Sequence, residues 1–227
     1  MTKPWFSARA ISATVAEIGI YGDIGIGGVD AEAVYQKLSS FRGVRTLNIN
    51  ISSDGGDVVT GFAIYNMFAR FPAKKIARID GLAASMASVI AMVGDEIVMP
   101  SNAFIMIHNP WGGVVGEADQ MRKFAGTLDM MQSNIRDAYV KRTKLDPAEV
   151  GKMMDAETWL TAEQAVKLGF ATHIEEPLRM AAMIKVGKMA AKFKGSPLPR
   201  DWDAIREEAF ARFNKRPGNA RRSRANG

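Results

Sequence analysis

The chain has 227 residues, 47% hydrophobic and 24% charged, a composition that suits a globular protein able to bury one substantial core. With no cysteine and two histidines, it excludes disulfides, a thiol nucleophile and cysteine-based zinc sites, and it argues against a histidine-rich metal centre; no cofactor and no metal is expected. The net charge of +6 is uneven: residues 178–227 hold 13 Lys and Arg against 4 Asp and Glu, while residues 1–177 hold 17 against 20.

Residues 1–14 read as an N-terminal extension. They show no continuous apolar core before their second positive charge, so no secretory signal is expected and the expected location is cytoplasmic. Short β-branched or alternating runs at 15–21, 44–51, 75–80, 96–99 and 104–108 predict strands. Between them, helical periodicity runs over 30–41, 57–71, 85–93 and 117–142; Asp146-Pro147 opens a further helix, and Thr161-Ala162-Glu163-Gln164 is a capping pattern for the next. This alternation predicts an α/β fold with a largely parallel sheet, in which ligand sites collect beyond the carboxyl ends of strands. The helix over 57–71 carries charge only at Asp57 and Arg70, so it is expected to be deeply buried, or covered on one side by another subunit. The most apolar stretch, 86–93, stops at Gly94-Asp95-Glu96, short of the ~20 residues a membrane helix needs, and no membrane contact is expected. The tail, 178–227, breaks at Gly195-Ser196-Pro197-Leu198-Pro199, predicts a short helix over 202–213 and ends in an arginine cluster. It reads either as a solubilising extension or as an electrostatic contact for nucleic acid or an acidic partner.

Three stretches carry residue types suited to chemistry. The first, Ser52-Ser53-Asp54-Gly55-Gly56-Asp57, takes a strand through paired glycines directly into a helix, which leaves backbone N–H groups open to an anion or a developing oxyanion. A plain glycine turn is the competing reading, and the absence of a Lys-Ser/Thr pair argues against a phosphate loop. The second, Gly81-Leu82-Ala83-Ala84-Ser85-Met86, sets Ser85 at a helix start beside the open N–H of Met86; an ordinary serine cap competes here. The third ends an apolar strand at His108 and continues through Asn109-Pro110-Trp111-Gly112-Gly113-Val114-Val115, an open edge able to grip a peptide by its main chain. A core histidine is the alternative for His108, a structural role is expected for His173, and Ser88 is expected to be a small packing residue.

In order and spacing, Ser52-Ser53-Asp54-Gly55-Gly56, the Gly81 to Met86 turn and Met106-Ile107-His108-Asn109-Pro110-Trp111-Gly112-Gly113 resemble the proteolytic subunit of the Clp protease family, over about residues 15–176. The resemblance implies crotonase-like repeated ββα/βα units with a long protruding handle helix, arranged as an N-terminal extension (1–14), a catalytic domain (15–177) and a basic tail (178–227). It implies a serine endopeptidase acting on extended or unfolded polypeptide, with Ser85 as nucleophile, His108 as base and the N–H groups of Gly56 and Met86 as oxyanion hole. Asp155 is chosen as the third triad member, with Glu157 in reserve, because the stretch before Trp159-Leu160-Thr161-Ala162 is shorter than in typical members. Gly55, Asp57, Val58, Gly113, Val114 and Val115 would flank the substrate.

The family also implies a homo-oligomer of heptameric, stacked rings joined through the helix over 117–142. Two departures matter. Asp54 replaces the family's proline, and the first twenty residues do not resemble the family's axial loops, while the sequence from Asp155 to Trp159 together with the basic tail resembles the Clp-like head-maturation proteases of tailed phages. Both an unfoldase ATPase and phage capsid or scaffold proteins therefore stand as partners. The rivals are a crotonase-like acyl-CoA enzyme, which would need no Ser85–His108 pair, and an inactive ring-forming protein whose basic tail meets nucleic acid.

Overall fold

Alternation of buried and half-exposed residues builds the sheet. In β3 (Thr46–Ser53), Leu47, Ile49 and Ile51 are buried while Asn48 and Asn50 between them are half-buried, so one face packs and the other stays polar. The computed structural model describes residues 6–175. Its eight-stranded sheet runs in the order β1 (Phe6–Ala10), β2 (Val15–Tyr21), β3, β4 (Lys74–Ala84), β5 (Glu96–Pro100) and β8 (His173–Glu175), with β6 (Phe104–Ile107) and β7 (Thr158–Thr161) branching from β4. Pairing is parallel from β2 to β8 and between β4 and β6, and antiparallel for β1 with β2 and for β6 with β7. This is the mixed α/β, mostly parallel architecture anticipated from the alternation. Strands β1, β7 and β8 were not among the predicted elements, and the basic tail lies outside the described residues.

The helices start where short polar side chains can satisfy the first free N–H groups. Asp30, Asp57 and Asp146 cap α1 (Ala31–Ser40), α2 (Val58–Arg70) and α5 (Pro147–Asp155) by accepting from Ala33, Thr60 and Ala148. Glu117 with Gln120, and Thr161 with Gln164, close reciprocal capping boxes on α4 (Ala118–Thr143) and α6 (Ala162–Lys167). Helix α2 buries Gly61, Ile64 and Phe68 and leaves Val59 65% exposed, so among the described residues only one side of it is covered. Half of the 26-residue α4 is exposed, chiefly its first turns; it buries only Ile135 and Tyr139, near its C-terminal end. Among the described residues no helix is long and apolar enough to cross a membrane, and no cluster of His, Asp and Glu suits a metal ion.

Strand β4 organises the carboxyl edge. Its first half, Ile76 to Arg78, pairs with β5, and its last residues, Leu82, Ala83 and Ala84, pair with Phe104, Ile105 and Met106 of β6. Against β3 the register jumps from Ile51↔Ile79 to Ser53↔Ala83, so the longer strand bulges as it changes partner. The sequence predicts a turn after Asp80, where small residues begin. These residues instead continue the strand, because a second partner supplies their hydrogen bonds.

Candidate active site

The register of β4 and β6 places two side chains together. Ala84 lies opposite Met106, and the N–H of Ser85 donates to the Met106 carbonyl at 3.0 Å, so Ser85, one residue past that pair, and His108, two residues past it, come together at the sheet edge. Ser85 Oγ lies 2.8 Å from Nε2 of His108. Both residues are partly buried, and burial holds the His108 imidazole below the ordinary histidine pKa, which keeps it neutral and able to accept a proton.

Ser85 is not an ordinary cap for α3 (Met86–Ala91). Its side chain makes no capping bond, and its backbone sits at φ 52°, ψ −127°, a region that costs a non-glycine residue ~1–3 kcal/mol. The strand-to-helix turn is thus forced at the one residue whose hydroxyl faces His108. Among the described residues only Ser85, Lys144 and Glu157 are non-glycines with positive φ, and two of the three lie in this site.

The paired glycines press against the same turn. A Cβ on Gly55 would come within 2.7 Å of Ser85 Cβ and 3.0 Å of the Met86 nitrogen, so only glycine lets the β3–α2 connection approach so closely. The turn is braced from the far side by Ile24, whose N–H donates to the Gly55 carbonyl at 2.8 Å and whose carbonyl accepts from Asp57 N–H at 2.9 Å. Ser53 Oγ anchors its start, donating to the Gly22 carbonyl and accepting from Gly55 N–H at 3.0 Å. Asp57 uses its carboxylate to cap α2, and its main chain is engaged at both ends, the N–H on Ile24 and the carbonyl accepting from Gly61 N–H at 2.9 Å. Val58 opens that helix and is half-buried.

Two carboxylates meet the chain just past β6, one at His108 and one at Asn109. Glu157 Oε2 is 4.0 Å from Nδ1 of His108, whereas Asp155 Oδ1 accepts a hydrogen bond from Asn109 Nδ2 at 2.8 Å. The antiparallel register explains the difference: Ile107 lies opposite Thr158, so the residue after one faces the residue before the other, and that pair is His108 and Glu157. Asp155 belongs to the last turn of α5, two residues earlier. Beyond His108, Gly113, Val114 and Val115 lie in a segment without regular secondary structure; Val114 is half-buried and Val115 is 73% exposed. His173 begins β8 with its ring against Thr172 Oγ1, on a different strand from Ser85 and His108.

With this geometry in view, comparison with known families gives one finding: the model of the family described as Clp protease matches residues 26–177. The chain belongs to the Clp protease family. That membership supports a Clp-type peptidase with polypeptide substrates, and it agrees with the mostly parallel sheet and its flanking helices. The match begins after β1 and β2 and ends just past β8, so it contains Gly55, Gly56, Ser85, His108, Asp155 and Glu157.

The glycine turn offers a direct check. In Gly56→Ala the new Cβ would fall 2.1 Å from the Ile24 carbonyl oxygen on a backbone of φ +146°. The variant is expected to unfold at a lower denaturant concentration than wild type, with a loss of at least ~1–3 kcal/mol. Equilibrium urea titration followed by circular dichroism reads this, and unchanged stability would show that the turn has room the geometry denies.

Proposed function

We propose that the protein is a serine endopeptidase in which Ser85 is the nucleophile, His108 its general base and the N–H groups of Gly56 and Met86 the oxyanion hole. The observation that carries this reading is the 2.8 Å contact between Ser85 Oγ and His108 Nε2 at a strained strand-to-helix turn. His108 Nε2 takes the hydroxyl proton as Ser85 Oγ attacks the scissile carbonyl carbon. The carbonyl oxygen, now an anion, is met by the two amides. When the C–N bond breaks, His108 returns its proton to the departing amine, leaving an ester on Ser85. A water molecule then attacks that ester, again with His108 as base, releasing the carboxylate product and the free hydroxyl. An acyl-CoA enzyme of related architecture would have no use for the Ser85–His108 contact.

The third member orients the imidazole through Nδ1 and stabilises it while it is charged. The 4.0 Å approach of Glu157, and the engagement of Asp155 with Asn109, favour Glu157 for this role over Asp155. The segments Gly55 to Val58 and Gly113 to Val115 would flank an extended substrate, gripping it by β-type hydrogen bonds through main-chain groups not engaged within the glycine turn, which selects unfolded chains. Assembly into stacked heptameric rings through α4, with delivery by an unfoldase ATPase or action on capsid or scaffold proteins, completes the reading. The open surface of α4 agrees with such stacking.

Ser85→Ala should abolish peptide hydrolysis and labelling by a fluorophosphonate while leaving the circular dichroism spectrum unchanged; full turnover in this variant would refute the mechanism. Because burial lowers the His108 pKa, the neutral base should persist at lower pH than usual. The acid limb of kcat/KM is therefore expected to have its midpoint below the ordinary value of 6.5. A midpoint at or above that value would contradict the environment described. For the acid, Glu157→Gln should lower kcat by at least ~10²-fold and Asp155→Asn by less than ~10-fold, and the reverse order would return the role to Asp155.

A further inference from the structure

Behind the nucleophile lies a pair of hydroxyls that the mechanism above does not use. Ser88 Oγ donates to the Ser85 carbonyl oxygen at 2.6 Å and lies 2.8 Å from the hydroxyl of Tyr139, which arrives from α4. Both residues are fully buried, and the Tyr139 ring leans on Phe170 with centroids 5.7 Å apart. A carbonyl can only accept, so the single Ser88 proton is committed to Ser85, and Tyr139 must donate in its contact with Ser88. Burial raises the Tyr139 pKa and so keeps that donor protonated. The hydroxyls therefore form a one-way chain from Tyr139 through Ser88 to Ser85.

Where the chain ends decides what it does. The Ser85 carbonyl and the Met86 N–H belong to one planar, trans peptide unit, so a force that fixes the oxygen also fixes the direction of the opposite N–H. That oxygen also accepts from the N–H groups of Ser88 at 3.0 Å and Val89 at 3.3 Å. Hydrogen bonds linked in series polarise one another, and electron density drawn toward the amide oxygen makes its N–H a stronger donor. A serine that bonds back to the carbonyl three residues earlier is common in helices. Here a second, fully buried donor from a different helix is aimed at that serine, and the peptide it acts on carries the strained nucleophile.

We propose that Ser88 and Tyr139 are positioning residues for catalysis: a hydroxyl relay that orients and polarises the Ser85–Met86 peptide so that the Met86 N–H meets the oxyanion. This rests on the roles proposed for Ser85 and Met86. It also makes α4 a contributor to the site, through Tyr139 in its buried end.

The test uses the full chain and three variants, Ser88→Ala, Tyr139→Phe and the double variant, which removes both hydroxyls and so leaves no buried polar group without a partner. kcat and KM on a peptide substrate are measured, together with the affinity of a peptidyl boronate, whose tetrahedral adduct needs the oxyanion hole. Removing an oxyanion donor outright costs ~10²–10³-fold in kcat, so weakening one is expected to cost about tenfold in Ser88→Ala and about threefold in Tyr139→Phe. KM should stay within about twofold, and boronate binding should weaken in step with kcat. The double variant should be no worse than Ser88→Ala, since Tyr139 acts only through Ser88. Wild-type kcat and boronate affinity in a folded double variant would overturn the relay, as would additive losses or a fall in activity carried by KM alone. Failure of wild type itself to react with a fluorophosphonate at Ser85 would instead remove the reading on which the relay rests.

Discussion

Three residue pairs, Leu82 with Phe104, Ala83 with Ile105 and Ala84 with Met106, align the ends of two parallel strands, and almost everything at the site follows from that alignment. Parallel strands hydrogen-bonded in register finish at the same edge and point the same way, so residues within one or two positions of the last pair are brought close together. Ser85 and His108 are those residues. The price is a backbone that must turn at once from strand to helix, and the turn falls on Ser85 in a conformation few non-glycine residues adopt. The surrounding apolar packing holds it there: every residue of α3 is buried.

The glycine pair serves a related purpose from the other side. A connection carrying side chains would stand away from Ser85 and Met86, whereas Gly55 lets the main chain lie directly against them. Ile24 grips both ends of the turn with its own N–H and carbonyl, and Ser53 ties its start to the carbonyl of Gly22. In the proposed mechanism, amides fixed in this way would need no rearrangement as charge develops in front of them, which is the physical basis of strong electrostatic stabilisation in acyl transfer.

Much of this was legible in the sequence. Polar caps at Asp30, Asp57, Asp146 and Thr161 mark helix starts by a local mechanism, and alternation in 15–21 and 44–51 marks half-buried strands; both signals lie within a few residues and survive folding unchanged. The glycines, Ser85 and His108 were visible as residue types at strand ends. The failures share a different cause, since each depends on pairing between distant segments. Strand β4 runs on through Gly81, Leu82, Ala83 and Ala84 because β6 is there to receive it, and nothing in those small residues announces a strand. The four-residue β7 carries too little pattern to be read alone. Without β7 there is no register to set Glu157 across from His108, and the family resemblance leaves Asp155 as the choice with Glu157 in reserve. Ser88 looks like a packing residue until α4 brings Tyr139 to it across 51 positions of chain.

Glu157 sits in the left-handed region, with φ 48°, where the last turn of α5 closes through its N–H to the Met154 carbonyl and the next residue enters β7. One position therefore lies between a helix and a strand and presents a carboxylate. Side chains alternate between the two faces of a strand, so adding or removing a single residue between Met154 and Thr158 would change which side chain arrives at the imidazole while leaving the sheet itself intact. On the role proposed for Glu157, the segment constrains chain length as firmly as it constrains chemistry: substitutions there could be absorbed one at a time, but an insertion or deletion would have to bring a new acid into register in the same step.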